Sequence, residues 1–226
     1  MIYQLEFVNH SRRRWTFAIW METDAAGEYD SVAWAAADVA PNATALFDID
    51  PSRYNVVRGS YDSSGWGSYV ATSIAPAQAG TVWELHELLQ PTTYPAQPDH
   101  IIIRNRTHDH AALGIGLDDR GAIFKRDVFP DMNAAFKVPP SRWFAGIFDR
   151  ANTGEVITDN VILGPFPFTV PFASGNHMRM MLTEVGNDLL MLIEDDVSSA
   201  LTTTATQYRA TGDEIAQRLA LAQARG

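Results

Sequence analysis

The side chains best suited to chemistry lie in the run Thr107-His108-Asp109-His110. Two histidines two residues apart share one face of a strand, which suits a pair of metal ligands, and imidazole and carboxylate groups also serve acid–base catalysis. His108, Asp109 and His110 are therefore candidate catalytic residues, and His108 and His110 are candidate metal ligands. A third ligand would come from Asp118, Asp119 or His100. The alternative is a solvated turn before the apolar run that follows.

A second group of candidates lies in the loop from Tyr61 to Tyr69, where Trp66 stands between two glycines. Aromatic rings beside hydroxyl and carboxylate groups stack on sugars or planar ligands, and they also anchor protein interfaces. The predicted ligand-binding residues are Tyr61, Asp62, Trp66 and Tyr69. In the alternative, Trp66 folds back over the end of the β structure as an apolar plug.

The composition excludes several classes of protein. The chain has no cysteine, which excludes disulfides, zinc–thiolate sites and cysteine nucleophiles. The net charge is −10, and Arg12–Arg14 is the one basic cluster in the sequence. We therefore expect no nucleic-acid partner, because such proteins usually carry a basic surface that neutralises phosphates. The sequence contains no phosphate-binding loop, dinucleotide-binding motif or serine-hydrolase elbow, and we predict no cofactor.

The apolar segments are too short for a membrane span, which needs about 18 or more consecutive apolar residues. The N-terminus lacks the charged region and long apolar run of a secretory signal peptide. We therefore expect a cytoplasmic location, and signal-independent export stays open.

The two halves of the chain share a motif. DVAPNATALFDIDPSRY (38–54) aligns without a gap on DVFPDMNAAFKVPPSRW (127–143) at an offset of 89, with eight identities in seventeen positions. Ordinary amino-acid usage would give about one. A second block, at an offset of 96, places Asn9 on Asn105. The sequence therefore predicts an internal duplication.

Short segments rich in β-branched and aromatic residues, separated by Gly, Pro, Asn and Asp, predict an all-β fold. We expect two β-sandwich or half-barrel units, residues 1–92 and 93–197, related by a pseudo-twofold axis and packed as two domains or as one. The join would lie in the proline-rich run 90–99. Residues 198–226 are predicted to be a linker followed by a short helix, which begins near Asp213.

Two local features carry structural predictions. Arg53 and Arg142 follow the shared Pro-Ser pair, and Asp38 and Asp127 are their predicted ion-pair partners. Gly114-Ile115-Gly116 lies inside a predicted strand, where glycine marks a bulge or a close backbone approach.

Three functions remain open at this stage. The first is a non-catalytic binding or self-assembling protein, present as a homo-oligomer that associates through sheet edges or the terminal helix. The second is a glycan- or small-molecule-binding module that uses Trp66 and its neighbours. The third is an enzyme with a pocket between the repeats and His108, Asp109 or His110 as its acid–base or metal-binding groups.

Overall fold

The fold consists mainly of β-strands. A computed structural model describes residues 1–22, 28–138, 142–158, 160–172, 175–195 and 205–225. In these ranges eighteen strands precede one C-terminal helix. In chain order they are β1 (Tyr3–His10), β2 (Trp15–Glu22), β3 (Asp30–Ser31), β4 (Ala33–Val39), β5 (Thr44–Ile49), β6 (Tyr54–Asp62), β7 (Ser68–Pro76), β8 (Thr81–Leu85), β9 (Leu89–Pro95), β10 (His100–Asn105), β11 (Ala111–Leu117), β12 (Arg120–Val128), β13 (Asn133–Lys137), β14 (Arg142–Phe148), β15 (Leu163–Phe168), β16 (His177–Val185), β17 (Asp188–Asp195), β18 (Ala205–Ala210) and α1 (Gly212–Arg225).

The described strands form four sheets. Two have five strands, in the orders β18-β17-β16-β1-β5 and β3-β12-β11-β6-β7. Two have four strands, in the orders β13-β10-β8-β9 and β15-β14-β2-β4. Every sheet contains strands from both predicted halves, so neither half forms a sheet of its own. The division of the chain at residue 92 stays a prediction.

β1 shows why these segments form strands. Its residues alternate between buried and half-buried up to its exposed last residue, the two-residue period of a sheet with one face against the core. It runs parallel to β16 and antiparallel to β5. β10 has the same kind of neighbours, with β8 parallel and β13 antiparallel. Parallel partners need long connections, so these pairings join segments that are far apart in the sequence.

The core contains one large cluster of buried side chains and two smaller ones. In the large cluster Phe7 stacks on Phe17 with 4.1 Å between ring centroids, and Trp34 meets Trp143 edge to face at 5.7 Å. Trp34 and Trp143 belong to different halves of the chain. Burial of their apolar surface therefore stabilises the association of one half with the other.

The all-β prediction and the terminal helix are confirmed. The proline-rich run 90–99, the predicted join, overlaps β9, which pairs with β8 at the edge of its sheet. Pro91 and Pro95 are tolerated because an edge strand has one side that needs no hydrogen-bond donor. β18 lies directly before the helix, at the end of the predicted linker, whose residues 198–204 are outside the described residues.

The predicted partner of Arg53 is wrong. Its Nη1 atom lies 2.9 Å from Oδ1 of Asp118, in the turn between β11 and β12. Asp38 instead accepts a hydrogen bond from the hydroxyl of Thr16. Antiparallel pairing of β6 with β11 places Tyr54 opposite Leu117, which brings the residue before β6 next to the residue after β11.

The helix α1 begins at Gly212, as predicted near Asp213, which lies in its first turn, and a reciprocal capping arrangement precedes it. The backbone N–H of Glu214 donates to the hydroxyl of Thr211 at 3.4 Å, and the Glu214 carboxylate accepts from the Thr211 backbone N–H at 2.8 Å. Arg218 donates to the carbonyl oxygens of Val161 and Ile162, both at 3.0 Å. The helix is therefore docked on the body of the protein.

Candidate functional site

The strand pairing brings two of the predicted site segments to one place. β6 and β11 are antiparallel neighbours, and Gly59 lies opposite Ala112. Continuing that register by two residues places Tyr61, from the first segment, beside His110, from the second. Both residues line one surface cleft of about 660 Å³. A volume of this size is in the range of small-molecule sites.

We call this cleft the Arg58 cleft. Its walls come from β6, β7, β11, β12 and the turn between β8 and β9, and most of its side chains are polar. The lining residues are Arg58, Gly59, Ser60, Tyr61, Thr72, Ser73, Glu87, Leu88, His110, Ala111, Ala112, Arg126 and Asp127.

Arg126 is held at the cleft wall by a partly exposed polar cluster. Its Nη2 and Nε atoms donate to Oδ2 of Asp30 at 2.7 and 3.2 Å, and Nε also lies 3.3 Å from the hydroxyl oxygen of Tyr69. The guanidinium group stacks on the ring of Tyr61, with 3.7 Å between its central carbon and the ring centroid. Tyr69 donates its own hydroxyl hydrogen to Asp30. These contacts fix both Arg126 and Tyr61 before any ligand arrives.

Tyr69 is the buried member of this cluster. It is 4% exposed, and its ring stacks on Phe124 with 4.3 Å between centroids. Burial raises the pKa of the Tyr69 phenol, and the hydrogen bond to Asp30 raises it further. The phenol therefore stays protonated and acts as a hydrogen-bond donor. It does not line the Arg58 cleft, and its predicted role as a direct ligand contact stays a prediction.

The loop that follows β6 is shaped by glycine. Gly67 has a φ of 83°, and a Cβ atom placed there would lie 2.6 Å from the hydroxyl oxygen of Tyr61. Asp62 accepts a hydrogen bond from the backbone N–H of Ser64 at 2.9 Å, and this bond closes the turn that precedes Gly67. Trp66 is half-buried. Asp62 and Trp66 both lie outside the Arg58 cleft, so only Tyr61 of the four predicted ligand-binding residues lines it.

His110 enters the cleft, whereas His108 and Asp109 do not. The His110 ring contacts the ring of Phe129 with 4.1 Å between centroids. All three residues precede β11, so the two histidines do not share a strand face. The backbone carbonyl of Asp109 accepts a hydrogen bond from the Asn105 side chain at 2.7 Å, so Asp109 takes part in the turn through its backbone.

The proposed third metal ligands do not form a metal site with these histidines among the described residues. Asp118 and Asp119 follow the far end of β11, which at about 3.3 Å per residue is more than 20 Å from His110. His100 instead lies 2.8 Å from a carboxylate oxygen of Asp99. The described residues contain no group of three or more His, Cys, Asp or Glu side chains arranged to hold a metal ion.

Several residues of the cleft were missed by the sequence reasoning. Arg58 and Arg126 lie within ordinary strand patterns, and neither belongs to a motif. The one indication of their role is their place in the sheet, where β6 and β12 lie on either side of β11. Arg58 lines the cleft and makes no ion pair or side-chain hydrogen bond with any residue that the structure describes.

Comparison with known families settles the relationship of the chain. The family model described as RhiA matches residues 1–195. The chain belongs to the RhiA family. The match spans β1 to β17, and therefore includes the whole Arg58 cleft of this RhiA-family protein. Neither the curated proteins nor the solved structures include a significant match. No helix among the described residues is long and apolar enough to cross a membrane.

Proposed function

We propose that this RhiA-family protein binds a small hydroxylated ligand of the carbohydrate type in the Arg58 cleft, without transforming it. The observation that carries the proposal is the guanidinium group of Arg58, which lines a polar cleft and has no described protein partner. Such a group offers several N–H donors to the hydroxyl or carboxylate oxygens of a ligand.

The other side chains of the cleft complement this donor. The hydroxyl groups of Ser60, Thr72 and Ser73 both donate and accept, and the carboxylates of Glu87 and Asp127 accept hydrogen bonds from ligand hydroxyls. A site with both charge signs and several hydroxyl groups favours a polyol or sugar over a simple anion.

His110 supports binding better than catalysis. Its ring contacts Phe129, and no carboxylate among the described residues forms a hydrogen bond with the imidazole. A general base is normally held in one tautomer and orientation by such a partner. The enzyme hypothesis based on His108, Asp109 and His110 therefore has less support than a binding function.

Calorimetric titration with glucose, galactose, maltose and galacturonate tests the proposal. We expect saturable binding of at least one of these ligands, and a loss of tenfold or more in affinity for Arg58→Ala. Arg14→Ala removes an exposed arginine outside the cleft and is the matched control. Absence of binding by the whole panel, or equal affinities for the two variants and the wild type, would contradict the proposal.

We further propose that the two halves arose by duplication and are related by a pseudo-twofold axis. In support, β1 and β10 have the same pair of neighbours, one parallel and one antiparallel. β2 and β11 each lie between a strand of their own half and a strand of the other half. In this interpretation the two units exchange strands and form one body.

Self-association is a second candidate function, and one edge strand favours it. β7 is nine residues long, lies at the edge of its sheet and carries Val70, which is 62% exposed. A long edge strand without an interior proline can pair with a second copy of the chain. Light scattering at high concentration should then give the mass of a homo-oligomer, and Val70→Lys should lower it. A monomer mass for the wild type would contradict this candidate.

A further inference from the structure

A second cavity lies at the opposite end of β11 from the Arg58 cleft. Its volume is about 540 Å³, and we call it the Asn55 cavity. It is formed by the start of β6, the connection from β7 to β8, strands β8 and β9, and the turn between β11 and β12. The lining residues are Ser52, Arg53, Tyr54, Asn55, Pro76, Ala77, Gln78, Thr81, Trp83, Pro91, Asp118 and Asp119.

Asn55 is the unusual residue of this cavity. It is 2% exposed, and its Nδ2 atom donates to the carbonyl oxygen of Arg120 at 3.2 Å. Its Oδ1 atom is buried and accepts no hydrogen bond from any described residue. Buried polar atoms almost always have a partner, because desolvation without a hydrogen bond destabilises the protein. An acceptor of this kind in a cavity wall indicates a ligand that donates.

Asp118 supplies a second buried acceptor. Its Oδ1 atom is 2.9 Å from Nη1 of Arg53, but the geometry of this ion pair gives Oδ1 no hydrogen bond. Asp119 lines the same cavity and adds a second carboxylate. Two aspartates and the Asn55 oxygen against one exposed arginine make the cavity a better site for a cation than for an anion.

The remaining wall is apolar and aromatic. Trp83 is buried, and its indole N–H donates to the hydroxyl oxygen of Thr81 at 3.1 Å, so the indole nitrogen is already used within the protein. Burial raises the pKa of the Tyr54 phenol to about 12, so this side chain stays neutral. Pro76, Ala77 and Pro91 complete an apolar surface against which a ring or short chain can pack.

The corresponding position in the other half has no such acceptor. At the offset of 89 that aligns the shared motif, Asn55 corresponds to Phe144. Phe144 is buried and stacks on Trp20 with 5.8 Å between ring centroids. A phenylalanine fills its site with carbon, whereas Asn55 retains a polar atom that the fold itself does not need. The difference indicates a role for Asn55 other than packing.

We propose that the Asn55 cavity binds a small organic amine. Its protonated nitrogen pairs with the carboxylates of Asp118 and Asp119, and a rotation of the Asn55 side chain turns the unpaired Oδ1 atom towards that nitrogen. The apolar part of the amine packs against Trp83. This site is separate from the Arg58 cleft and does not depend on the function proposed for that cleft. The ligand class is an alkyl- or arylammonium ion.

A titration with benzylamine, followed by NMR of the ¹⁵N-labelled protein, tests this site. We expect saturable shifts of the Asn55 side-chain amide and the Trp83 indole N–H, with benzyl alcohol at least tenfold weaker and benzoate without effect. Asp118→Asn should weaken benzylamine tenfold or more. Asn55→Leu should do the same by removing the acceptor.

The matched control is Asp131→Asn. Asp118 and Asp131 both have positive φ values, 49° and 61°, which asparagine also tolerates, and both pair with an arginine, but Asp131 lines neither the Asn55 cavity nor the Arg58 cleft. The control should bind benzylamine like the wild type. If Asn55→Leu fails to fold, the comparison of Asp118→Asn with Asp131→Asn decides. Absence of saturable binding, or equal affinity in Asp118→Asn and Asp131→Asn, would overturn the proposal.

Discussion

Asn9 and Asn105 make the same set of hydrogen bonds in the two halves of the chain. Asn9 is fully buried, and its Nδ2 atom donates to the carbonyl oxygens of Arg13 at 2.9 Å and Val39 at 2.8 Å. Its Oδ1 atom accepts from the backbone N–H and the hydroxyl of Ser11 at 2.9 and 2.7 Å. One side chain thus ties the end of β1 to the turn that follows and to the end of β4.

Asn105 does the same at the end of β10. Its Nδ2 atom donates to the carbonyl oxygens of Asp109 and Val128, both at 2.7 Å. Its Oδ1 atom accepts from the backbone N–H and the hydroxyl of Thr107 at 3.0 and 2.7 Å. Each asparagine therefore makes four hydrogen bonds that are buried or partly buried.

We predict that Asn9→Ala and Asn105→Ala each lower the free energy of unfolding by about 2–4 kcal/mol, because each leaves several buried groups unpaired. Urea unfolding followed by tryptophan fluorescence measures the change. Asn133→Ala, at an exposed asparagine on β13, is the control and should change stability by less than about 0.5 kcal/mol. A loss below 1 kcal/mol for both buried asparagines would mean that the turns do not depend on them.

The hydroxyl of Tyr69 is predicted to stabilise the wall of the Arg58 cleft. Tyr69→Phe keeps the stack on Phe124 but removes the hydrogen bonds to Asp30 and Arg126. We expect a loss of about 1 kcal/mol, since the partly exposed carboxylate of Asp30 loses one of its donors. Tyr94→Phe, at an exposed tyrosine, should show no loss in the same thermal unfolding measurement. Equal melting temperatures for the two variants would contradict this role.

Gly116 is predicted to be intolerant of any side chain. A Cβ atom there would lie 1.6 Å from the carbonyl oxygen of Arg120, and the pairing of β11 with β12 is irregular at this point. Gly116→Ala must therefore move backbone, and we expect a loss of about 3 kcal/mol or more, or no soluble protein.

Gly65→Ala is the comparison for Gly116→Ala. Gly65 has a φ of 59° and open space around a Cβ atom, so its variant should lose roughly 1–2 kcal/mol through backbone conformation alone. Chemical denaturation of both variants separates the steric effect from the conformational one. A smaller loss at Gly116 than at Gly65 would contradict the close approach.

The sequence predicts much of this fold because the relevant signals are local. The alternation along β1 follows from its own residues, and the second aligned block, at the offset of 96, places Asn9 and Asn105 at equivalent turns. The glycines of β11 correctly indicated an irregular strand with a close backbone approach. These features depend on neighbours within one strand or one turn, where period and residue type are informative.

The candidate site could not be predicted in the same way. The pairing of β6 with β11 places Tyr61 near His110, and no local pattern encodes a pairing across about fifty residues. Arg58 and Asn55 occupy strand positions where polar residues are usually solvent-facing or paired. The absence of a described partner for the Arg58 side chain and for Asn55 Oδ1 becomes visible only when the surrounding strands are in place.

Acid is predicted to destabilise the link between Arg12 and Glu184. Hydrogen bonds from the Arg12 side chain and backbone N–H lower the pKa of Glu184 below its ordinary value of 4.5. When the pKa of a carboxylate is lower in the folded state than in the unfolded state, the charged group stabilises the fold at pH values above the unfolded-state pKa. That stabilisation is lost as the pH falls through the folded-state pKa. Stability should therefore fall below about pH 5 and continue to fall at lower pH.

Glu184→Gln tests this linkage, because a neutral side chain has no such titration. Urea unfolding at pH 7, 5, 4 and 3.5 should show a shallower fall for Glu184→Gln than for the wild type. Arg12→Ala should be as shallow, and the double variant should add nothing further, because both changes remove one interaction. Parallel curves for wild type and Glu184→Gln would show that this pair does not contribute.

Arg218 is predicted to hold α1 on the body of the protein. Its Nη1 atom donates to two carbonyl oxygens, those of Val161 and Ile162, and Ile215 on the same helix is buried. An isolated helix of this length is marginal in water, so its order depends on docking. Arg218→Ala should lower global stability by about 1 kcal/mol.

The local effect of Arg218→Ala should exceed the global one. Amide hydrogen exchange in Gly212–Arg225 should accelerate tenfold or more, while exchange in β1 and β16 changes little, because the helix can detach without unfolding the sheets. Gln217→Ala alters an exposed position one residue away and should leave the exchange unchanged. If the helix amides of Arg218→Ala exchange as slowly as those of the wild type, the docking must depend on Ile215 and the capping pair Thr211 and Glu214 instead.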